Sequence, residues 1–295
     1  MRENGPVTSA TRQPETPAAA VPPRLIATDL DGTLLRDDKT VSPRTVAALA
    51  AAEEAGIEVF FVTGRPARWM DVVSDHVHGH GLAICGNGAA VVDLHGGPGA
   101  HRFVKVRELA RANALDAVRL VREAAPGTVY AIEQTYGFYQ EPAYPKLHME
   151  IPDTLAPAEK LLAPDALGAD EPVLKILAFH AELDPDVFLN VARLALGDHA
   201  NVTRSSPSAL LEISGPGVSK ASTLALCCAE RGIAPEEVVA FGDMPNDVEM
   251  LTWAGQSYAM GNAHPDVLAA ASGRTVDNNE DGVAIVIERM LAERR

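Results

Sequence analysis

The sequence predicts an α/β fold, a doubly wound parallel-sheet core (Rossmann-like) interrupted by an inserted α+β domain. Three observations predict it. Short apolar runs at 25–28, 57–62 and 238–241 each lead into polar or acidic residues, as buried parallel strands do when they deliver side chains at the carboxyl edge of a sheet. Helical patterns follow those runs, and strand, helix, strand, helix implies right-handed crossovers that cover both faces. Between about residues 88 and 205 the pattern changes to short strands with two interleaved helices, which suits an antiparallel sheet.

In chain order, residues 1–23 are rich in Pro, Ala, Thr and charged residues without periodicity and read as a flexible lead-in. The first strand, 25–28, ends at Asp29-Leu30-Asp31-Gly32-Thr33. Ser42-Pro43 supplies an N-cap and a proline at the first helical position, and Val46, Leu49 and Ala50 continue at helical spacing until Gly56. The second strand, 57–62, ends in Thr63-Gly64-Arg65-Pro66, and a helix is expected through Trp69, Met70, Val72 and Val73. Within the insert, strands are expected at 89–94, 128–133, 136–140 and 173–180, with helices at 106–124 and 185–196. The first pattern then resumes with a strand at 209–213, a helix at 219–231 and a strand at 238–241. The expected division is a tail at 1–23, a core of 24–87 plus 206–295, and an inserted domain at 88–205.

A chain of 295 residues has room for two ordinary domains, and 47% hydrophobic against 22% charged residues is a globular balance. Forty acidic against 25 basic residues give a formal charge of −15, which repels phosphate backbones and anionic membrane surfaces. Neither nucleic acid nor membrane is therefore an expected partner. A phosphorylated ligand would need a cation or a local cluster of donors. Cys85, Cys227 and Cys228 form no Cys-x-x-Cys spacing and no disulfide framework, which fits a reducing cytoplasm. No apolar run approaches the ~20 residues of a membrane helix, and the N-terminus lacks the apolar stretch of a signal peptide.

Asp29 and Asp31 sit two apart at a strand end, so both side chains can point to one side of the carboxyl edge. Burial and mutual repulsion should raise one pKa, leaving one carboxylate as nucleophile or metal ligand and its partner as proton donor. Gly32 permits a tight turn that exposes amides to an oxyanion; the plain alternative is an Asx turn. A calcium loop is disfavoured by Thr33 and Thr40 at its fifth and twelfth positions. Thr63-Gly64-Arg65 offers a hydroxyl, an amide and a guanidinium to a phosphate, or simply a turn. With Ser219 as N-cap, Lys220 falls in the first helical turn, where the dipole disfavours a cation by ~0.3–1 kcal/mol. An anion should compensate it, unless it reaches solvent. The surrounding Gly215–Ser222 stretch is no P-loop, because Ser219 precedes the lysine and Ala221 follows it. Asp243, Asn246 and Asp247 follow the strand at 238–241 and add hard oxygen ligands of the kind Mg²⁺ accepts, or cap the next helix.

Taken in order, these four stretches resemble the four motifs of the haloacid dehalogenase superfamily. The insert between the second and third resembles the Cof-type sugar-phosphatase branch, as do Gly86-Asn87-Gly88-Ala89 and Asn279-Glu280-Asp281-Gly282-Val283-Ala284. The resemblance covers nearly everything after residue 23. It implies a Mg²⁺-dependent phosphatase of small phosphate monoesters, sugar phosphates or a phosphorylated cofactor, with the insert as a cap. Asp29 would be nucleophile and metal ligand. Asp31 would give and later take a proton, its carbonyl binding the metal. Leu30, Thr63, Gly64, Lys220 and Asn246 would surround the phosphoryl group, and Asp243 and Asp247 would complete the metal site. Met244-Pro245 departs from the branch, where Gly often follows the aspartate. A phosphomutase using the same Asp29 and a non-catalytic phosphate-ligand sensor are the alternatives. His76, His78 and His80 read as a solvated loop, the three cysteines as packing, and Tyr136, Tyr139, Tyr144, Lys146 and His148 as packing or substrate-facing residues of the insert.

Overall fold

The computed structural model describes residues 21–74, 81–146 and 152–294. The histidines at 76, 78, 80 and 148 lie outside the described residues. An eight-stranded sheet runs in the spatial order Gly273–Arg274, Gln256–Ala259, Val238–Gly242, Leu25–Thr28, Glu58–Val62, Leu82–Cys85, Ala90–Asp93, Arg102–Val106. The first six of these strands are parallel, and the last two are added antiparallel. Successive residues of each central strand serve opposite faces. Ile26, Val59, Phe61, Val239 and Phe241 pack with Leu49, Ala52, Val283 and Ile287 of the helices Pro43–Glu54 and Gly282–Glu293. Leu25, Ala27, Phe60, Val62, Val238 and Ala240 pack instead with Leu224, Cys227, Cys228, Met250 and Leu251 of Lys220–Glu230 and Val248–Trp253. Burial on both faces is why these strands read as continuous apolar runs.

The second sheet has six strands in the order Asn201–Thr203, Leu210–Ser214, Val173–Phe179, Val129–Gln134, Phe138–Gln140, Thr154–Leu155, antiparallel except for the last pair. One face carries Tyr130, Ile132, Ile176, Ala178, Leu211 and Ile213 against the helices Arg111–Ala124 and Pro185–Leu196. The other carries a small cluster of Ala131, Phe138, Tyr144 and Leu177.

Four expectations are corrected. Strand Ala90–Asp93, expected in the insert, pairs antiparallel with Leu82–Cys85 in the first sheet. Arg102–Val106 extends that sheet, so the helix expected from 106 begins only at Arg111. Strand Leu210–Ser214, expected to resume the first sheet, pairs with Val173–Phe179 in the second. Which neighbour a strand hydrogen-bonds to, in a hairpin for 90–93 and 102–106 and across a long separation for 210–214, decides the sheet it joins, and local alternation carries no trace of it. The helix expected through Trp69 is a 3₁₀ turn, Ala67–Trp69, followed by one turn at Asp71–Ser74. No helix among the described residues is long and apolar enough to cross a membrane.

Candidate active site

Leu25–Thr28 lies between Val238–Gly242 and Glu58–Val62, so the loops after all three strands meet at one carboxyl edge, where open α/β sheets bind ligands. The amide of Asp29 donates to Phe241 O at 3.1 Å and carries the ladder one step past the strand. The chain then turns: Leu30 O accepts the amides of Thr33 (3.2 Å) and Leu35 (2.8 Å), which leaves its own N–H as the group that could serve a ligand. Gly32 turns at φ 76°, and a Cβ there would collide with the Asp243 carboxylate, so only glycine lets the two loops approach this closely.

Lys220 is fully buried at the start of its helix. Its Nζ donates to Asp29 Oδ1 at 2.5 Å and Asp247 Oδ1 at 2.7 Å, the anionic compensation expected from its place in the first turn. Ser219 caps the helix by accepting from the Ser222 amide, which fixes the direction in which Lys220 leaves the backbone. Asp247 spends its second oxygen on the amides of Asp243 and Met244, both at 3.1 Å. Asp243 Oδ1 accepts the Thr33 hydroxyl at 3.1 Å. Carboxylate oxygens of Asp29, Asp243 and Asp247, all buried, lie within 4.8 Å of one another.

Three carboxylates face one ammonium. Burial first, opposed by Lys220 and then reinforced by Asp247, pushes Asp29 up to about 7; burial, then Asp29 and Asp247, pushes Asp243 up to about 8. Lys220 moves up too, because its two carboxylates outweigh the burial that opposes its charge. Such a buried surplus of negative charge, built from hard oxygens, fits a divalent cation. Asp29 and Asp243 each keep one oxygen that accepts no hydrogen bond from a described residue, whereas both oxygens of Asp247 are engaged.

Asp31 stands apart. Its carboxylate is outside the acidic cluster and is gripped by Arg65 Nε and Nη2 (2.6 and 2.7 Å) and by Lys39 (2.9 Å). Against the upward push of burial, these bonds and charges hold it down at about 2. The expected splitting of the aspartate pair is therefore reversed: Asp29 is raised, and the intended proton donor is the more acidic member. Thr63 and Gly64 occupy the neighbouring loop, with Thr63 Oγ1 accepting from the Arg65 amide at 3.1 Å. Asn246 donates to Asn87 Oδ1 at 2.9 Å and so joins the fourth motif to the turn after Leu82–Cys85. Sequence reasoning missed the grip of Lys39 on Asp31, the Thr33 bond to Asp243, and a buried pair, Lys175 and Glu212. Thr33 stood in a motif already singled out; the other two carry no local signal.

A doubly wound sheet whose carboxyl edge gathers three buried carboxylates and a lysine has the architecture of an α/β enzyme with its polar site at the strand ends. Comparison with known proteins narrows the class. Residues 26–287 match the family described as haloacid dehalogenase-like hydrolase. The chain is 30% identical over 271 residues to the 5-amino-6-(5-phospho-D-ribitylamino)uracil phosphatase YitU of Bacillus subtilis, covering 89% of this chain and 95% of that one. It is 29% identical to the pyridoxal phosphate phosphatase YbhA of Escherichia coli, over 88% and 96% of the two chains. Among solved structures, a haloacid dehalogenase-like hydrolase of B. subtilis superposes with a TM-score of 0.75 at 25% identity, covering 90% and 99%. A phosphatase of the same superfamily from Bacteroides thetaiotaomicron shares the fold with a TM-score of 0.75 at 23% identity, covering 93% and 97%. The chain belongs to the haloacid dehalogenase-like hydrolases and is an enzyme of the phosphatase class.

Proposed function

We propose that this chain hydrolyses small phosphate monoesters, sugar phosphates or a phosphorylated cofactor, with Mg²⁺ and through a phosphorylated Asp29. One observation carries the reading: Lys220 sits buried between Asp29 and Asp247, beside an acidic cluster with more negative charge than it can neutralise. Asp29, Asp243 and the Asp31 carbonyl would hold the metal, with Asp247 positioning Lys220 and the 243–244 backbone. Bound Mg²⁺ would neutralise the carboxylates and draw charge from the phosphoryl oxygens.

Asp29 forms its bond to phosphorus as the ester P–O bond breaks, and the leaving oxygen takes a proton from Asp31. Asp31 then accepts a proton from the water that displaces phosphate and restores Asp29. Thr63, the Leu30 and Gly64 amides, Asn246 and Lys220 hold the transferring group and its developing charge. For Asp31 to act it must first leave Arg65. The relatives' names support the substrate range: one acts on a phosphorylated ribitylaminouracil and another on pyridoxal phosphate. The acidic composition and the free cysteines support action in a reducing cytoplasm on a small metabolite. A panel of phosphorylated metabolites, assayed for phosphate release with Mg²⁺ and with a chelator, tests the proposal. Release is expected only with the metal and is lost in Asp29→Asn; undiminished release by that variant overturns the mechanism, and hexose-phosphate isomerisation without release marks a mutase.

A further inference from the structure

The face of the second sheet that lies away from its helices carries a small apolar cluster, some neutral polar side chains at its margins and a short row of buried charges. Glu133 pairs in register with Lys175 on the central strand, and Glu212 reaches Lys175 from the strand on the other side. Lys175 and Glu212 are only 4% and 3% exposed. Lys175 Nζ makes two contacts: an ion pair with Glu212, and a 2.6 Å hydrogen bond to the carbonyl of Gly64 in the first sheet's loop. Glu212 accepts the Ser205 hydroxyl and crowds the same glycine: a Cβ at Gly64 would stand 3.2 Å from Glu212 Oε1 and 3.3 Å from Asn87 Oδ1. Asn87 in turn accepts from Asn246. Arg68, four residues after Gly64, pairs with Glu133 from the same row.

Stability does not account for the pair. Taking two charges out of water costs about what their attraction returns, and two apolar side chains would suit a face that already carries Ala131, Phe138 and Leu177. An apolar pair could not hold a carbonyl. The bond that Lys175 makes outside its own sheet goes to the backbone between Thr63 and Arg65, the loop that offers donors to the phosphoryl group and grips Asp31.

We infer that Lys175 is a positioning residue for phosphoryl transfer: seated by Glu212, it holds the Gly64 carbonyl and sets the Thr63-Gly64-Arg65 loop when the second sheet lies over the first. This rests on the phosphatase reading. Lys175→Met alone strands Glu212 in a dry site, so the decisive variant is Lys175→Met with Glu212→Leu, checked for an unchanged circular dichroism spectrum and a cooperative melt. Expected are a fall in kcat of about 100-fold, equal across every ester the wild type hydrolyses, and a matching weakening of inorganic phosphate binding by calorimetry. Lys175→Arg, which keeps the charge and a donor, should recover part of the loss. A loss confined to some esters would assign Lys175 to leaving-group recognition and overturn the inference, as would unchanged kcat. If the wild type hydrolyses no ester, the phosphatase reading fails; phosphate binding then decides separately, and equal affinity in wild type and double variant overturns the role of Lys175.

Discussion

Each domain of this molecule buries one lysine, Lys220 at the start of a helix beside the first sheet and Lys175 within the second sheet, and the two differ in how much negative charge surrounds them. Lys220 faces Asp29 and Asp247 with Asp243 alongside, three carboxylates to one ammonium. Lys175 is ion-paired with Glu212, its in-register neighbour Glu133 is matched by Arg68, and its other bond goes to a neutral carbonyl. The Lys175 pair is complete as it stands and can only hold something in place. The Lys220 cluster is incomplete, and the missing positive charge is what suits it to a divalent cation and a phosphoryl group.

The largest expected effect separates the two lysines by activity. Lys220→Ala should lower kcat by about 100- to 1,000-fold, and Asp29→Asn by at least as much, as removal of a preorganised stabilising donor or of the nucleophile does. Steady-state assays on any ester that the wild type hydrolyses check this. Removing one partner from a buried ion pair also destabilises by ~3–5 kcal/mol, so the metal-free Lys220→Ala protein should melt well below wild type and recover part of the deficit with Mg²⁺. A metal-insensitive deficit would remove the cation from the comparison.

A smaller effect is expected from Thr33→Val, which takes from Asp243 the one side-chain hydrogen bond it accepts among the described residues. Partners of metal-binding groups typically contribute 10- to 100-fold to affinity, so Mg²⁺ should bind about 10-fold more weakly by calorimetry, at the lower end because the bond is long. Unchanged affinity would mean that Asp243 is oriented by its loop alone.

Legibility in the sequence follows the same division. The strand at 25–28, the Ser42 cap and the helix Pro185–Leu196 were all readable, because capping residues and apolar spacing are local. So was the need of Lys220 for an anion, since a cation in a first helical turn is anomalous by itself. Lys175 and Glu212 were not readable. Each is one charge inside an apolar strand run, 37 positions apart, and only the pairing of Val173–Phe179 with Leu210–Ser214 brings them together. The same long-range pairing put 210–214 into the second sheet, whereas 90–93 and 102–106 joined the first through short hairpins with the strand before each.

The surplus charge of the Lys220 cluster should also be visible in the pH dependence of stability. Asp29 and Asp243 titrate far above the ordinary carboxylate value of 3.8. A raised pKa means that the folded state binds the proton more tightly, so this stability is fully present below about pH 4 and is lost as pH rises through about 7 and 8. With chelator present, denaturant unfolding should show stability falling between those limits. Asp243→Asn, which leaves one fewer charge to bury, should flatten the fall, and a parallel curve would sink the account. Lys175→Met with Glu212→Leu should leave that slope untouched, because its pair carries no surplus.

The smallest effect concerns Asp31, whose pKa the sequence expectation placed on the wrong side. Burial rather than repulsion from Asp31 is what chiefly raises Asp29, and Asp31 escapes a rise because it has cations of its own: Arg65 at 2.6 and 2.7 Å and Lys39 at 2.9 Å. A depressed carboxyl contributes stability that is present above its unfolded value of 3.8 and is lost as pH falls toward about 2. Arg65→Met leaves only the half-exposed Lys39, so the Asp31 carboxyl should climb back toward 3.8 in a carbon-detected NMR titration. Because 39% of the Asp31 side chain meets solvent, screening keeps the stability change slight, and wild type and variant should differ at pH 5 yet converge at pH 2. An Asp31 that stays near 2 without Arg65 would show that Lys39 alone holds it, and that the proton shuttle is released by the 36–40 loop rather than by the loop that Lys175 braces.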